Sequence, residues 1–407
     1  MCSTTPKTKA ASPAVKTPSV IKKPPALPAI QPLQKFLVSA YDNTKATIEN
    51  VPDVIAGIHL VTKKLAITIR AIFKDEHDKF YDEHAQIPYD ATQDPAAPQL
   101  MHYSGSLVKV AAIYAALDLR ATARQHAKTQ PGFPKFPPNN AFLTSLDGII
   151  DTSAALQRLK TFGKGLKSSL KDIFVYDAST PDKVAFKDSF KNALINIFHN
   201  EDATIVVDAL GYSFINVSLM KAGYFDESTL TGIWLAGDYS KEHSLKSVRV
   251  PSINDIVPGG SAQNITTKEM SRMFYMLHTG QAYSHVTDEI ERTKANNGAH
   301  AVIKDQISWL TPAGGIPFTV PVPFTVHCTK VGIGALGPVD SPGAPVYSEG
   351  EILVWSDGSQ VNAFNTKYKR KLTGEFAVCW QNLYQLNPKV NGLITLISSA
   401  IENFLTQ

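Results

Sequence analysis

Cysteine is scarce in this 407-residue chain, with Cys2, Cys328 and Cys379 the only three. They are too few for a disulfide framework and too far apart for a zinc-binding spacing, so a hydrophobic core must hold the fold. Charge is thin too, at 19% against 43% hydrophobic residues, which excludes a disordered, collagen-like or coiled-coil chain. No apolar run reaches the ~18 residues of a membrane span. The start lacks the roughly 7–15-residue apolar block of a secretory signal, so no signal peptide is visible and the compartment is left open. His-Glu-x-x-His and Gly-Lys-Ser/Thr are missing as well, and no metal or cofactor is expected. Glycine strings such as residues 332–337 lack the spacing of a dinucleotide loop.

What is present divides unevenly. Residues 1–35 hold seven prolines and six lysines with no acid, the composition of an extended tail. Of the 40 Lys+Arg these six leave 34 against 36 Asp+Glu, so the formal +4 belongs to the tail and the body is near −2. Nothing in that balance argues for nucleic acid. The body, 36–407, reads as α+β. Strand patterns lie at 64–73, 324–337, 350–356 and 375–383, helical ones at 106–124, 182–223, 266–279 and 390–405. Thr266 and Glu269 form a capping-box pattern before the third of these helices. Both ends thus build a sheet (about 50–100 and 320–385), and the middle (about 125–300) supplies a helical lobe. His77 and His84, in an acidic and basic run, read as a charged surface. Cys328 and Cys379 read as small buried hydrophobes.

The chemistry-bearing stretch is residues 101–120, MHYSGSLVKVAAIYAALDLR. Its helical run starts near Ser106 and carries one charge, Lys109, between Leu107 and Leu117. Lysine is almost never buried without a partner, and one helical turn sets Lys109 on the same side as Ser106. Burial lowers an amine's pKa, which would let neutral Lys109 take the Ser106 proton and make the alcohol a nucleophile. Ser19/Lys22 and Ser168/Lys171 repeat the spacing in polar settings. Only the Ser106 copy opens an apolar helix. A second marker is Lys330-Val331-Gly332 on a strand, where lysine brings positive charge and glycine allows close approach of a substrate backbone.

Taken together, MHYSGSLVK, the helical middle and TKVGIG resemble the penicillin-recognising serine hydrolases, the β-lactamases and penicillin-binding proteins, in motif order over roughly residues 50–405. The resemblance implies a β-lactamase/transpeptidase-like fold, an antiparallel sheet flanked by helices plus a helical lobe. It implies that Ser106 is acylated, Lys109 is its base, and Lys330 orients the second motif and the substrate carboxylate. The backbone N–H groups of Ser106 and Ile333 would form the oxyanion hole, and Gly332 would lie on the substrate edge strand.

Two departures matter. Val331 stands where the family usually carries Thr or Ser, which favours an ester or amide without a carboxylate. No clean Ser/Tyr-x-Asn lies between the outer motifs. The candidates are His199 and Asn200, or Tyr212 with Asn216, whereas Ser261 and Asn264 read as capping residues. No deacylating glutamate motif follows the lobe. The expectation is a monomeric serine hydrolase acting by acyl transfer on an ester, amide or peptidoglycan-type substrate, small molecule or peptide. The alternative is a catalytically impaired binding or scaffold module of the same fold.

Overall fold

A computed structural model describes residues 32–49, 65–87, 101–129, 141–151, 168–176, 184–236, 263–281, 323–335, 345–356, 364–365, 370–381 and 387–406. The helices are α1 (Pro32–Glu49), α2 (Val110–Thr129), α3 (Ala141–Asp151), α4 (Leu170–Ile173), α5 (Asp188–Ile195), α6 (Asn200–Leu210), α7 (Tyr212–Lys221), α8 (Thr267–Thr279) and α9 (Asn387–Leu405). A 3-10 turn, Gly105–Lys109, leads into α2. The strands are β1 (Ala66–Lys74), β2 (Phe80–Ile87), β3 (His102–Tyr103), β4 (Phe174–Tyr176), β5 (Val184–Phe186), β6 (Phe225–Asp226), β7 (Thr231–Trp234), β8 (Asn264–Ile265), β9 (Phe324–Ala335), β10 (Pro345–Trp355), β11 (Phe364–Asn365) and β12 (Arg370–Gln381).

The main sheet runs β2-β1-β12-β10-β9, with β11 added on β12, and every pairing is antiparallel. Its strands come from both ends of the sequence and the lobe from the middle, an α+β arrangement. Side chains alternate between faces with a period of two. On β12, Phe376, Val378 and Trp380 enter the apolar layer beneath α1 and α9, while Ala377 and Cys379 enter the layer shared with α2 and α8. Neighbouring strands repeat this in register. Thr68, Cys379, Gly350 and Lys330 form one row across four strands, and Ala66, Gln381, Ser348 and Gly332 form the next.

These rows are small or polar, and that is why other elements come so close. A Cβ on Gly350 would collide with the Phe274 ring of α8. Thr68 Oγ1 lies 3.0 Å from Thr267 Oγ1, and buried Arg70 donates to Ser271 Oγ, the Lys268 carbonyl and Asp82. The α8 cap forms with one arm: Thr266 Oγ1 accepts from the Glu269 N–H, but the Glu269 carboxylate turns to Arg272.

Several elements differ from the sequence reading. α1 opens at Pro32, a proline counted with the tail, and proline suits a first helical position because its missing N–H would have had no partner. The charged run around His77 and His84 is a hairpin. Asp75 Oδ1 accepts from the His77 and Lys79 N–H groups, Asp78 takes φ +58°, and β2 follows. A second hairpin, β6–β7, follows α7. Cys328 and Cys379 are buried as expected. Within the lobe, α6 and α7 meet at 76° at Gly211, whose φ is +77°. Among the described residues no single helix is long and apolar enough to cross a membrane.

Candidate active site

Ser106 is the second residue of the 3-10 turn, half-buried, at the sheet-facing end of α2. With three residues per turn, positions three apart eclipse one another, so the turn stacks Lys109 over Ser106. The Ser106 N–H has no acceptor within the helix by position, and the positive end of the helix dipole lies there.

The turn is braced against the sheet. Gly105 has φ +54°, and a Cβ there would stand 2.7–2.9 Å from the N, C and O atoms of Ile333. A Cβ on Gly332 would strike the Ser104 carbonyl, Ser348 Oγ and the Leu107 N. Ser348 Oγ, on β10, donates to the Ser104 carbonyl at 2.6 Å, and Gln263 Nε2 donates to the Gly105 carbonyl at 3.2 Å. Two successive carbonyls of the turn are therefore each held by a buried side chain from a distant element.

Lys109 is 1% exposed. Its Nζ donates to the Phe198 carbonyl at 3.0 Å and to Asn200 Oδ1 at 2.7 Å, at the start of α6. Burial pulls its pKa down to about 8, against an opposing pull from Asp202. Lys330 is 2% exposed and shares a sheet face with Gly332, two residues on. Its Nζ donates to the carbonyl of Val331 on its own strand. Burial, with repulsion from Lys109, brings it to about 7. The two amines are thus close enough to feel each other, and together with Ser106 they gather where α2, β9 and the start of α6 meet.

Of the two candidates for a second motif, the fold brings Asn200 to Lys109. Tyr212 is built into the apolar core of the lobe. Asn216 is engaged at both ends by the Leu235 backbone, giving from Nδ2 at 2.9 Å and receiving at Oδ1 at 3.0 Å. His199 precedes α6 with its ring exposed, tilted 55° to the Phe198 ring at 4.0 Å between centroids and paired with Asp202 at 3.4 Å. In the triplet Phe198-His199-Asn200 the asparagine is in place, but a phenyl ring stands where the resemblance would put a hydroxyl. Asn264 pairs with Tyr103 in the β3–β8 ladder, and Thr266 is the residue that caps α8. Ser261 lies outside the described residues. Sequence reasoning missed Ser348, Gln263 and the Phe198 carbonyl, because each acts across a long stretch of chain with no local pattern.

No family model matches the chain, and no curated protein matches it. Among solved structures it is similar to a β-lactamase from Sphaerobacter thermophilus, at 10% identity and TM-score 0.38, over 90% of this chain and 96% of that one. A class D β-lactamase from Fusobacterium nucleatum subsp. polymorphum gives 11% identity and TM-score 0.35, over 91% and 97%. Penicillin Binding Protein 2X from Streptococcus thermophilus gives 12% and 0.40, with 92% of this chain spanning 51% of that one. These likenesses concern fold alone.

Proposed function

We propose that this chain is a serine hydrolase working by acyl transfer through Ser106 and Lys109. The observation that carries the reading is the environment of the Lys109 amine. A neutral amine has two N–H groups and one lone pair. The Phe198 carbonyl and Asn200 Oδ1 each accept from the Lys109 amine, which stands one turn from Ser106. An amine near 8 holds a substantial neutral fraction at physiological pH, as a general base requires.

In the proposed reaction Ser106 Oγ attacks a carbonyl carbon while its proton passes to Lys109. The Ser106 and Ile333 N–H groups take the developing oxyanion. The bond to the leaving group breaks, Lys109 returns the proton to it, and the acyl group stays on Oγ until water releases it as the acid. Lys330, on the same face of β9 as Gly332, would add positive potential when protonated. An ester, amide or peptidoglycan-type peptide would serve as acyl donor.

The test is covalent labelling. The full chain and its Ser106→Ala variant, both checked for folding by circular dichroism, are incubated with a fluorophosphonate and a penicillin and weighed by mass spectrometry. One adduct on the parent chain and none on the variant supports acyl transfer. A folded parent that takes up neither probe favours the binding or scaffold module.

A further inference from the structure

Resting on the Ser106–Lys109 reading, we propose that Gln263 is a positioning residue, which holds the Gly105 carbonyl and thereby aims and strengthens the Ser106 N–H as an oxyanion donor. The Gly105 carbonyl and the Ser106 N–H are the two ends of one peptide group. That group is planar, and in its trans form the two ends point in opposite directions. Gln263 Nε2 donates to the Gly105 carbonyl at 3.2 Å. Whatever fixes the carbonyl on one side of the plane fixes the direction of the N–H on the other.

The turn needs this outside hold. Ser104, at its start, makes no side-chain cap, and Gly105 takes φ +54°. The Leu107 N–H reaches the Ser104 carbonyl only at 3.3 Å, beyond the usual range, whereas the Ser348 hydroxyl reaches it at 2.6 Å. The sheet therefore grips the first peptide of the turn more closely than the turn grips itself. The second peptide, which carries the Ser106 N–H, is the one Gln263 holds.

Gln263 is set on a rigid base. It is 3% exposed and immediately precedes β8. Ile265 of β8 pairs with His102 and Ile233, and Asn264 pairs with Tyr103 and Trp234. Carrying the β3–β8 register one residue further sets Gln263 opposite Ser104, where β3 runs into the turn. Gln381 Nε2, on β12, adds a hydrogen bond to the Ile265 carbonyl at 3.4 Å.

The chemistry follows from the shared peptide. Hydrogen bonds in a chain polarise one another, so a carbonyl that accepts from Gln263 leaves its own N–H a stronger donor. That gain is realised as negative charge builds on the substrate oxygen, and little of it is felt in the initial complex. The Gln263 amide is neutral, so it adds no charge near Lys109. Its removal should lower the rate of the covalent step while leaving probe binding and the pH midpoint in place.

The experiment measures fluorophosphonate labelling of Ser106 against probe concentration and pH, on the full chain and on Gln263→Met, Gln263→Asn and Ser348→Ala. Rates are referred to folded protein by circular dichroism. In this reaction Ser106 Oγ bonds to phosphorus, fluoride leaves with its bonding pair, and the hydroxyl proton passes to Lys109. Methionine matches the length of glutamine without a donor, and asparagine keeps the amide one methylene short. Both Gln263 variants should show a maximal labelling rate about 10- to 100-fold lower, with the half-saturating probe concentration within about twofold and the pH midpoint unmoved. Ser348→Ala, which acts on the preceding peptide, should lose less. Parent-like maximal rates in the folded Gln263 variants, or a loss confined to probe binding or to a shifted midpoint, overturn the inference and leave acyl transfer at Ser106 standing. A loss in Ser348→Ala as large as theirs spreads the effect over the whole turn and overturns the assignment to Gln263. A folded parent that takes up no phosphonate overturns acyl transfer and this inference together.

Discussion

Lys109 and Asn200, 91 residues apart in sequence, meet through a hydrogen bond of 2.7 Å from Nζ to Oδ1. An amide oxygen accepts a hydrogen bond without carrying formal charge, so it satisfies the amine without the pull of a carboxylate. A carboxylate in that place would satisfy it equally and hold it protonated. Under the proposed mechanism, the identity of residue 200 sets how readily Lys109 acts as a base.

The first expectation follows from the Lys109 value. Protonated below about 8 and neutral above it, this amine should make phosphonate labelling of Ser106 speed up with pH, with a midpoint near that value. Labelling rates from pH 6 to 10 give the profile. A rate that is flat or falls over that range would contradict a lysine base.

Asn200→Asp should move that profile. The added negative charge favours the ammonium, so labelling at pH 7 should drop about tenfold and the midpoint should rise by roughly one unit. Thermal stability should hold or improve, because the hydrogen bond becomes charge-assisted. A variant that labels as fast as the parent at pH 7 would separate Asn200 from the base.

Folding stability should also depend on these amines. Lys330 drops from its ordinary 10.5 to about 7 and Lys109 to about 8, so between about 7 and 10.5 the unfolded chain binds more protons than the folded one. Stability therefore rises with pH across that window. Burial pushes the Cys328 and Cys379 thiols well above 9.0, which offsets the rise above that pH, where unfolded thiols ionise first. Urea midpoints should climb from pH 7 to about 9, and Lys330→Met should flatten the climb.

Two glycine substitutions should diverge in sign. Gly332→Ala puts a methyl into the backbone of the Ser104–Leu107 turn, which cannot swing aside as a flexible side chain would. It should cost about 1–3 kcal/mol or more and suppress labelling of Ser106. Gly148→Ala, inside α3 with nothing near the new methyl, should stabilise by about 0.5–1 kcal/mol and leave labelling alone. Denaturation curves and probe uptake on both variants decide it.

How much of this was legible in the sequence depends on the range of each interaction. Ser106 and Lys109 stand out because a lone charge in an apolar helix is anomalous within a dozen residues. The strands β9, β10 and β12 announce themselves by alternation, and their hydrophobic sets face the layers that alternation predicts. Asn200 could not be told from Tyr212 and Asn216, because the choice rests on which one the folded lobe aims at Lys109. β2, FYDEHAQI, is half-buried at a sheet edge, so its alternation is weak and its charges dominate. Glu349 and Glu351 look like surface residues in sequence, yet both are fully buried on the α1 and α9 side of β10, where Thr329 Oγ1 donates to Glu349. The glycines at 105 and 332 gain their meaning only when two segments more than 200 residues apart touch.

Ser106 and the Lys109 nitrogen are moored to different parts of the molecule. Ser348 and Gln263 fasten the turn that bears Ser106 to the sheet and to the approach to α8, whereas the Lys109 nitrogen is fastened to the front of α6 in the lobe. Any loosening between those parts stretches the Ser–Lys couple before it unravels either one. On gentle warming or in dilute urea, the chemistry should fade while ellipticity still reads as native, and cooling should bring it back.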